Sequence, residues 1–192
     1  MKKTLLISIF ILVSALSAQA NEIKRIFVGN ESAKISIIAF ESLTCSYCAK
    51  FHQDVYPLLK KEYLDTGLAK IEFRHFPLDI AAFNASKVAQ CTNDGNLEIL
   101  ESLYANQQKW VKGSSIEEAN INLQKFLSKE GFNIDFESCI NNKQIEDFVL
   151  NDRIDGAKNF KVNATPTIII NNKKFEKTLN YKNLKKALEK LI

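Results

Sequence analysis

Two cysteines three positions apart, Cys45 and Cys48, stand where a strand-like run gives way to helical periodicity, and no other feature of the chain restricts its fold as much. Before them, Ile35-Ser36-Ile37-Ile38-Ala39-Phe40 has the β-branched and aromatic content of a strand. After them, Phe51, Val55, Leu58 and Leu59 recur at helical spacing, as the inner face of a helix that tolerates a bend at Pro57. Asp65-Thr66-Gly67 ends that helix. Ile71-Glu72-Phe73-Arg74-His75-Phe76 then alternates with period two and reads as a second strand, stopped by Pro77. Strand, helix, strand implies a parallel pair, hence an α/β chain.

From Ile80 to about Phe160 the pattern is almost wholly helical. Ala82, Ala85, Val88 and Ala89 form one face, and Leu97, Leu100, Leu103 and Tyr104 another. Ile121, Leu123, Phe126 and Leu127 form a third after the Gly113-Ser114-Ser115 break, with Ser115 and Glu118 spaced as a capping box. Phe136, Ile140, Ile145, Phe148 and Val149 continue the signal. Thr167-Ile168-Ile169-Ile170 has a buried-strand composition, Asn171-Asn172 reads as a hairpin turn, and Lys174-Phe175-Glu176-Lys177 as an edge strand. Leu184, Ala187, Leu188 and Leu191 give a closing amphipathic helix. The expected divisions are 1–20, 21–79, 80–160 and 161–192, the third being an inserted helical domain.

Residues 1–20 are set apart as a secretory signal peptide. Lys2 and Lys3 precede a mostly apolar run from Leu5 to Leu16, and Ala18-Gln19-Ala20 is a small-x-small cleavage pattern. Such a run rises only about 18 Å as a helix, short of a bilayer core of about 30 Å. Removing the two lysines from 26 basic residues leaves 24 against 22 acidic, a net charge of +2. That is too weak to point to nucleic acid, so none is expected as a partner. Export also changes what cysteines mean, because an oxidising compartment permits disulfides. The four cysteines allow three pairings. If Cys45 and Cys48 face each other, Cys91 and Cys139 remain as a second pair. Bonded, they would close a loop of about 49 residues and stabilise the fold by about 4 kcal/mol in the chain-entropy treatment. A redox switch or two free thiols are the alternatives to this structural staple.

The chemistry is expected at Cys45-Ser46-Tyr47-Cys48. A helix starting beside Cys45 directs unpaired N–H groups and the positive dipole end at its sulfur, which favours the thiolate. A stabilised thiolate is also a good leaving group, so a closed disulfide at this position is readily discharged onto another dithiol. Cys45 at the exposed tip would form the mixed disulfide and Cys48, one turn inward, would resolve it. A small stapling disulfide is the bland alternative. Cys45, Cys48 and His52 could share a helix face, but structural zinc normally needs four ligands, so no metal and no cofactor are expected. His52 is read as rimming the site or packing against it, His75 as ending a strand, and Trp110 as a packing residue.

Pro166, in front of a buried strand, demands a reason. If its peptide bond is cis, the turn exposes the Thr165 backbone and could set it beside Cys45, where an extended substrate would pair as a short added strand. An ordinary strand-initiating proline is the alternative.

Ser42-Leu43-Thr44-Cys45-Ser46-Tyr47-Cys48-Ala49-Lys50-Phe51-His52, with Asp65-Thr66-Gly67, Phe76-Pro77-Leu78-Asp79 and Thr165-Pro166-Thr167, resembles the secreted DsbA-type thiol-disulfide oxidoreductases, especially those of alphaproteobacteria. The resemblance runs across nearly all of the chain after residue 20. It implies a thioredoxin fold with a mixed central sheet, interrupted by a helical domain, and a cis bond before Pro166. It also implies oxidation of unfolded or partly folded exported proteins in the periplasm and reoxidation by a DsbB-like, quinone-linked membrane protein. Cys45 takes the nucleophile position and Cys48 the resolving one. Ser46, Tyr47, Thr165 and Pro166 are substrate-contacting positions, and Cys91 with Cys139 is similar to a second disulfide of some alphaproteobacterial relatives.

Two departures bear on potency. Strong oxidants of that family carry Pro-His between the cysteines, where this chain has Ser46-Tyr47. Relatives often have a buried glutamate six residues before the first cysteine, where this chain has Ala39; Glu41, on the same strand face, is a candidate proton acceptor for Cys48. A solvated acid at the strand end is the other reading of Glu41. A disulfide-introducing oxidase is the first expectation for the whole chain. A reductase, isomerase or redox partner for metallo-protein assembly is the second, and a non-catalytic peptide-binding chaperone module the third. With no separate dimerisation segment evident, a monomer is expected.

Overall fold

The computed structural model describes residues 22–192, so the expected signal peptide lies outside the described residues. Five strands, β1 (Ile26–Gly29), β2 (Ile35–Glu41), β3 (Ala69–His75), β4 (Thr167–Ile170) and β5 (Lys173–Lys174), form one sheet in the order β1-β3-β2-β4-β5. β2 and β3 pair in parallel, with Ile37 opposite Ile71 and Ala39 opposite Phe73. The other three pairings are antiparallel, so the sheet is mixed.

β2 reads as a nearly continuous apolar run because both of its faces are covered. Ile35, Ile37 and Ala39 join the large core, whereas Ile38 and Phe40 pack with Phe76, Val162 and Ile169 on the opposite side. The helix after the cysteines is broken. α1 (Ser46–Asp54) stops, α2 (Tyr56–Leu59) restarts with Pro57 in its first turn, where no N–H is needed, and a π-helical turn (Lys60–Leu64) follows. The restart at Val55 shifts the inward face to Tyr56, Leu59, Tyr63 and Leu64. Leu58, expected inside, is therefore exposed.

Between β3 and β4 lie α3 (Ile80–Gln90), α4 (Glu98–Ala105), α5 (Gln107–Trp110), α6 (Ile116–Lys129), α7 (Phe136–Ile140) and α8 (Lys143–Asn159). Ser115 caps α6 by accepting from the Glu118 N–H, but the Glu118 carboxylate turns back to Ser114 rather than to Ser115. α6 buries Leu123, Phe126 and Leu127. Ile121, expected beside them, lies two positions from Leu123, about 200° round the helix, and is exposed. Trp110 is a packing residue, buried with its indole N–H on the Leu103 carbonyl at 2.8 Å.

The hairpin turn forms at Asn171 and Asn172, both with positive φ, and it needs only two residues on each side. Pairing ends at Lys174, so the edge strand expected through Lys177 is two residues long. α9 (Tyr181–Leu188) buries Leu184 and Leu188, while Leu191 lies beyond its end and is exposed. Among the described residues no helix is long and apolar enough to cross a membrane.

Two close contacts fix the helical block to the sheet and to itself. Gly156 of α8 lies against Phe40 of β2, where an added Cβ would come within 2.9 Å of the ring and 3.1 Å of Phe76. Cys91, at the end of α3, is bonded to Cys139 of α7 across a sequence separation of 48. Replacing both Cys91 and Cys139 by alanine is expected to lower unfolding stability by up to about 4 kcal/mol, read from guanidinium midpoints of the non-reduced proteins. Gly156→Ala should lower it by about 1–3 kcal/mol through overpacking against Phe40, checked by the same unfolding curves.

Candidate active site

The end of β2 delivers the chain to a short loop that is held from three directions. The Cys45 N–H reaches the Ser42 carbonyl at 3.0 Å, and the Ser42 hydroxyl accepts from the Leu78 N–H at 3.3 Å. Thr44 donates to Asp79 at 2.7 Å, and the same Asp79 caps α3 by accepting from the Ala82 N–H. From α5, the Gln107 side-chain amide donates to the carbonyls of Leu43 (2.8 Å) and Cys45 (3.1 Å). No spacing signal in the sequence marks Gln107, because its partners are backbone oxygens more than sixty residues earlier.

Cys45 is the N-cap of α1, with extended backbone, and Cys48 lies in the first turn. The two sulfurs are not bonded to each other: Cys45 is half-buried, and Cys48 is 0% exposed. Their environments separate them chemically. The Cys45 thiol is drawn down from 9.0 to about 5, chiefly by the hydrogen bond from the Cys48 thiol. Partial burial opposes this, while the Thr165 side chain and the N–H groups of Cys48 and Tyr47 reinforce it. Cys48 is pushed far up, first by burial, then by its hydrogen bond to Cys45 and by the negative charge of Glu41.

The Thr165–Pro166 peptide bond is cis, and the Thr165 carbonyl lies 3.3 Å from the Cys45 sulfur. Loop and cysteine pair, 120 residues apart in sequence, therefore meet. Thr165 and Pro166 are half-buried, and Ser46 and Tyr47 project into solvent, Tyr47 with 73% of its surface exposed. Leu78 and Ile80, on either side of the Asp79 that holds Thr44, are exposed as well and extend an apolar surface from the Cys45 tip.

Glu41, the last residue of β2, is only 3% exposed, which removes the reading of a solvated strand-end acid. One carboxylate oxygen lies 2.9 Å from Nε2 of His52. His52 packs against the site rather than rimming it: its ring stacks on Tyr104 at 4.2 Å and lies 5.3 Å from Phe73. His75 ends β3, buried, with Nε2 on Gln90 at 3.2 Å, and burial holds its pKa down. Among the described residues no three His, Cys, Asp or Glu side chains gather closely enough to hold a metal ion.

The Thioredoxin family model matches residues 21–190. The chain belongs to the thioredoxin family. Among solved structures it is similar to alpha-DsbA1 of Wolbachia pipientis, with a TM-score of 0.77 and 27% identity, covering 87% of this chain and 90% of that one. Disulfide bond formation protein D of Bacillus subtilis is 26% identical over 174 residues, 85% of this chain and 75% of its own length. A relative from Rickettsia typhi, assigned provisionally by name to the protein-disulfide oxidoreductases, is 25% identical over 171 residues, 86% of this chain. The chain spans 61% of that relative's length. The mixed sheet with its large helical insertion is the DsbA-type form of the thioredoxin fold.

The lowered Cys45 value has a definite sign in stability. A thiolate favoured by the fold stabilises the reduced protein in full above the ordinary value of 9.0, and that stabilisation fades as pH falls through about 5. The oxidised form has no such group. The stability of the reduced protein relative to the oxidised one should therefore rise between pH 5 and 9. Alkylation of Cys45 in the reduced protein should titrate with a midpoint near pH 5, measured from the pH dependence of the iodoacetamide rate.

Proposed function

We propose that the chain is a disulfide-donating thiol-disulfide oxidoreductase whose substrates are unfolded or partly folded exported polypeptides. The observation that carries this reading is the asymmetry of the pair: a half-exposed Cys45 held near 5 beside a fully buried Cys48 held far up. A sulfur stable as an anion leaves readily, so the closed disulfide is the less favoured state and is passed on.

In the donating half of the cycle a substrate thiolate attacks the Cys45 sulfur, the Cys45–Cys48 bond breaks, and Cys48 leaves and is protonated. A second substrate thiolate then attacks the substrate sulfur of the mixed disulfide and expels Cys45 as the thiolate. The substrate has lost two electrons to the pair. Thr165 and Pro166, with Ser46 and Tyr47, would line the substrate path, an extended chain bonding to the Thr165 backbone beside Cys45. Glu41 would accept the Cys48 proton on reoxidation. The Cys91–Cys139 bond would act as a structural staple. The relatives named above support a periplasmic or secreted setting and a membrane redox partner, which we assign to a DsbB-like, quinone-linked oxidase. The chain would act as a monomer.

Oxidised protein mixed with a reduced, unfolded dithiol polypeptide should transfer its disulfide stoichiometrically, followed by mass of the alkylated products. Incubated with the disulfide form of that polypeptide, Cys48→Ser should accumulate mixed disulfides at Cys45 and Cys45→Ser should form none. A reduction potential near that of thioredoxin, about −270 mV, measured against glutathione, would overturn the donor assignment in favour of a reductase.

A further inference from the structure

The Cys45 carbonyl accepts from more donors than a helix start requires. As the carbonyl of the N-cap it receives the N–H groups of Cys48 at 3.1 Å and Ala49 at 3.2 Å, which open α1. The Gln107 side-chain amide adds a third donor at 3.1 Å, and it bonds to the Leu43 carbonyl as well at 2.8 Å. A carbonyl oxygen has two lone pairs, so the three donors compete for it.

One of the three has a second acceptor. The N–H of Cys48, like that of Tyr47, also acts on the Cys45 sulfur and favours the thiolate. The Cys48 N–H is therefore divided between two groups of one residue, the carbonyl and the sulfur of Cys45. The Cys45 backbone is extended, with ψ 119°, the N-cap conformation that turns a side chain toward the N–H groups of the first turn. Its own N–H is fixed on the Ser42 carbonyl at 3.0 Å, and its sulfur lies 3.3 Å from the Thr165 carbonyl. Gln107 holds the remaining backbone group, from a helix whose Trp110 is buried in the core. With one amide hydrogen on the buried Leu43, the other is directed at Cys45.

We propose that Gln107 is a positioning residue for the exchange reaction: by donating to the Cys45 carbonyl it leaves the first N–H groups of α1 to the Cys45 sulfur, so that the helical insertion helps to set how readily the disulfide is given away. The inference rests on the exchange reading and deepens it. Gln107 donates to carbonyls and to neither sulfur, so it acts only through the Cys45 peptide group. Without its donors the Cys48 N–H shifts toward the carbonyl, and the thiolate loses part of its support. The reduced pair is then less favoured and the closed disulfide is held more tightly. A residue that merely braced the loop would destabilise the oxidised and reduced proteins alike and leave the difference between them unchanged.

Gln107→Met keeps the length of the side chain and removes both donors; Gln107→Ala gives the same reading if the methionine variant does not fold. In the reduced variant the acid dissociation of Cys45, followed by the pH dependence of iodoacetamide alkylation, is expected to be about three- to tenfold weaker than in the parent, the range of one neutral hydrogen bond. At pH 7, above both midpoints, the equilibrium of the pair with glutathione should move toward the disulfide by the same factor, because only the reduced protein holds the thiolate. An unchanged Cys45 midpoint in the folded variant overturns the assignment. So do equal losses of unfolding stability in the oxidised and reduced forms. A parent protein that transfers no disulfide to a dithiol polypeptide, while the variant still shifts the Cys45 midpoint, would overturn the exchange reading and support the action of Gln107 on the sulfur.

Discussion

The hydrogen bond from the Cys48 thiol to the Cys45 sulfur is the contact on which the site depends. It sets one sulfur as an anion and the other as a proton carrier, and it exists only because β2 ends, turns and starts α1 within a few residues. The helix end alone does not account for the separation. Burial of Cys48 beneath the large core prevents it from competing as a thiolate, so the negative charge resides where solvent and substrate can reach it. Fold and chemistry are joined here because the packing that excludes water from Cys48 also makes the sheet stable.

Around that contact the chain converges from distant positions. The Thr165 carbonyl arrives from just before β4, Asp79 from the start of α3 and Gln107 from α5, each bonding to the cysteine or to its loop. A strand covered on both faces makes this convergence possible, since β2 has neighbours on each edge and a core on each side. The apolar surface of Tyr47, Leu78 and Ile80 is left uncovered at the one end of β2 where the reactive sulfur emerges.

What could be read from the sequence was what is local. Alternation at 71–76 and the apolar run at 35–40 report neighbours on the same strand, so β2 and β3 and their parallel pairing were legible. So were the cysteine pair, Pro166 and the Asn171-Asn172 turn. β1 was not, because four residues with a modest apolar content become a strand only through pairing with β3 more than forty residues later. Leu58 was misplaced because periodicity assumes an unbroken helix, whereas the chain restarts at Val55, and Ile121 because it lies off the single stripe that α6 buries. Gln107 and the Glu41–His52 contact carry no pattern. Their partners are set by tertiary packing, which a run of neighbouring letters does not encode.

The pair of hydrogen bonds donated by Gln107 has a consequence for the helical insertion. One side-chain amide ties the carbonyl of Cys45, the N-cap of α1, to a helix belonging to a different part of the chain. The position of α5 and that of the reactive residue's peptide group are therefore fixed relative to each other. The insertion thus anchors the reactive residue's peptide group as well as covering the core.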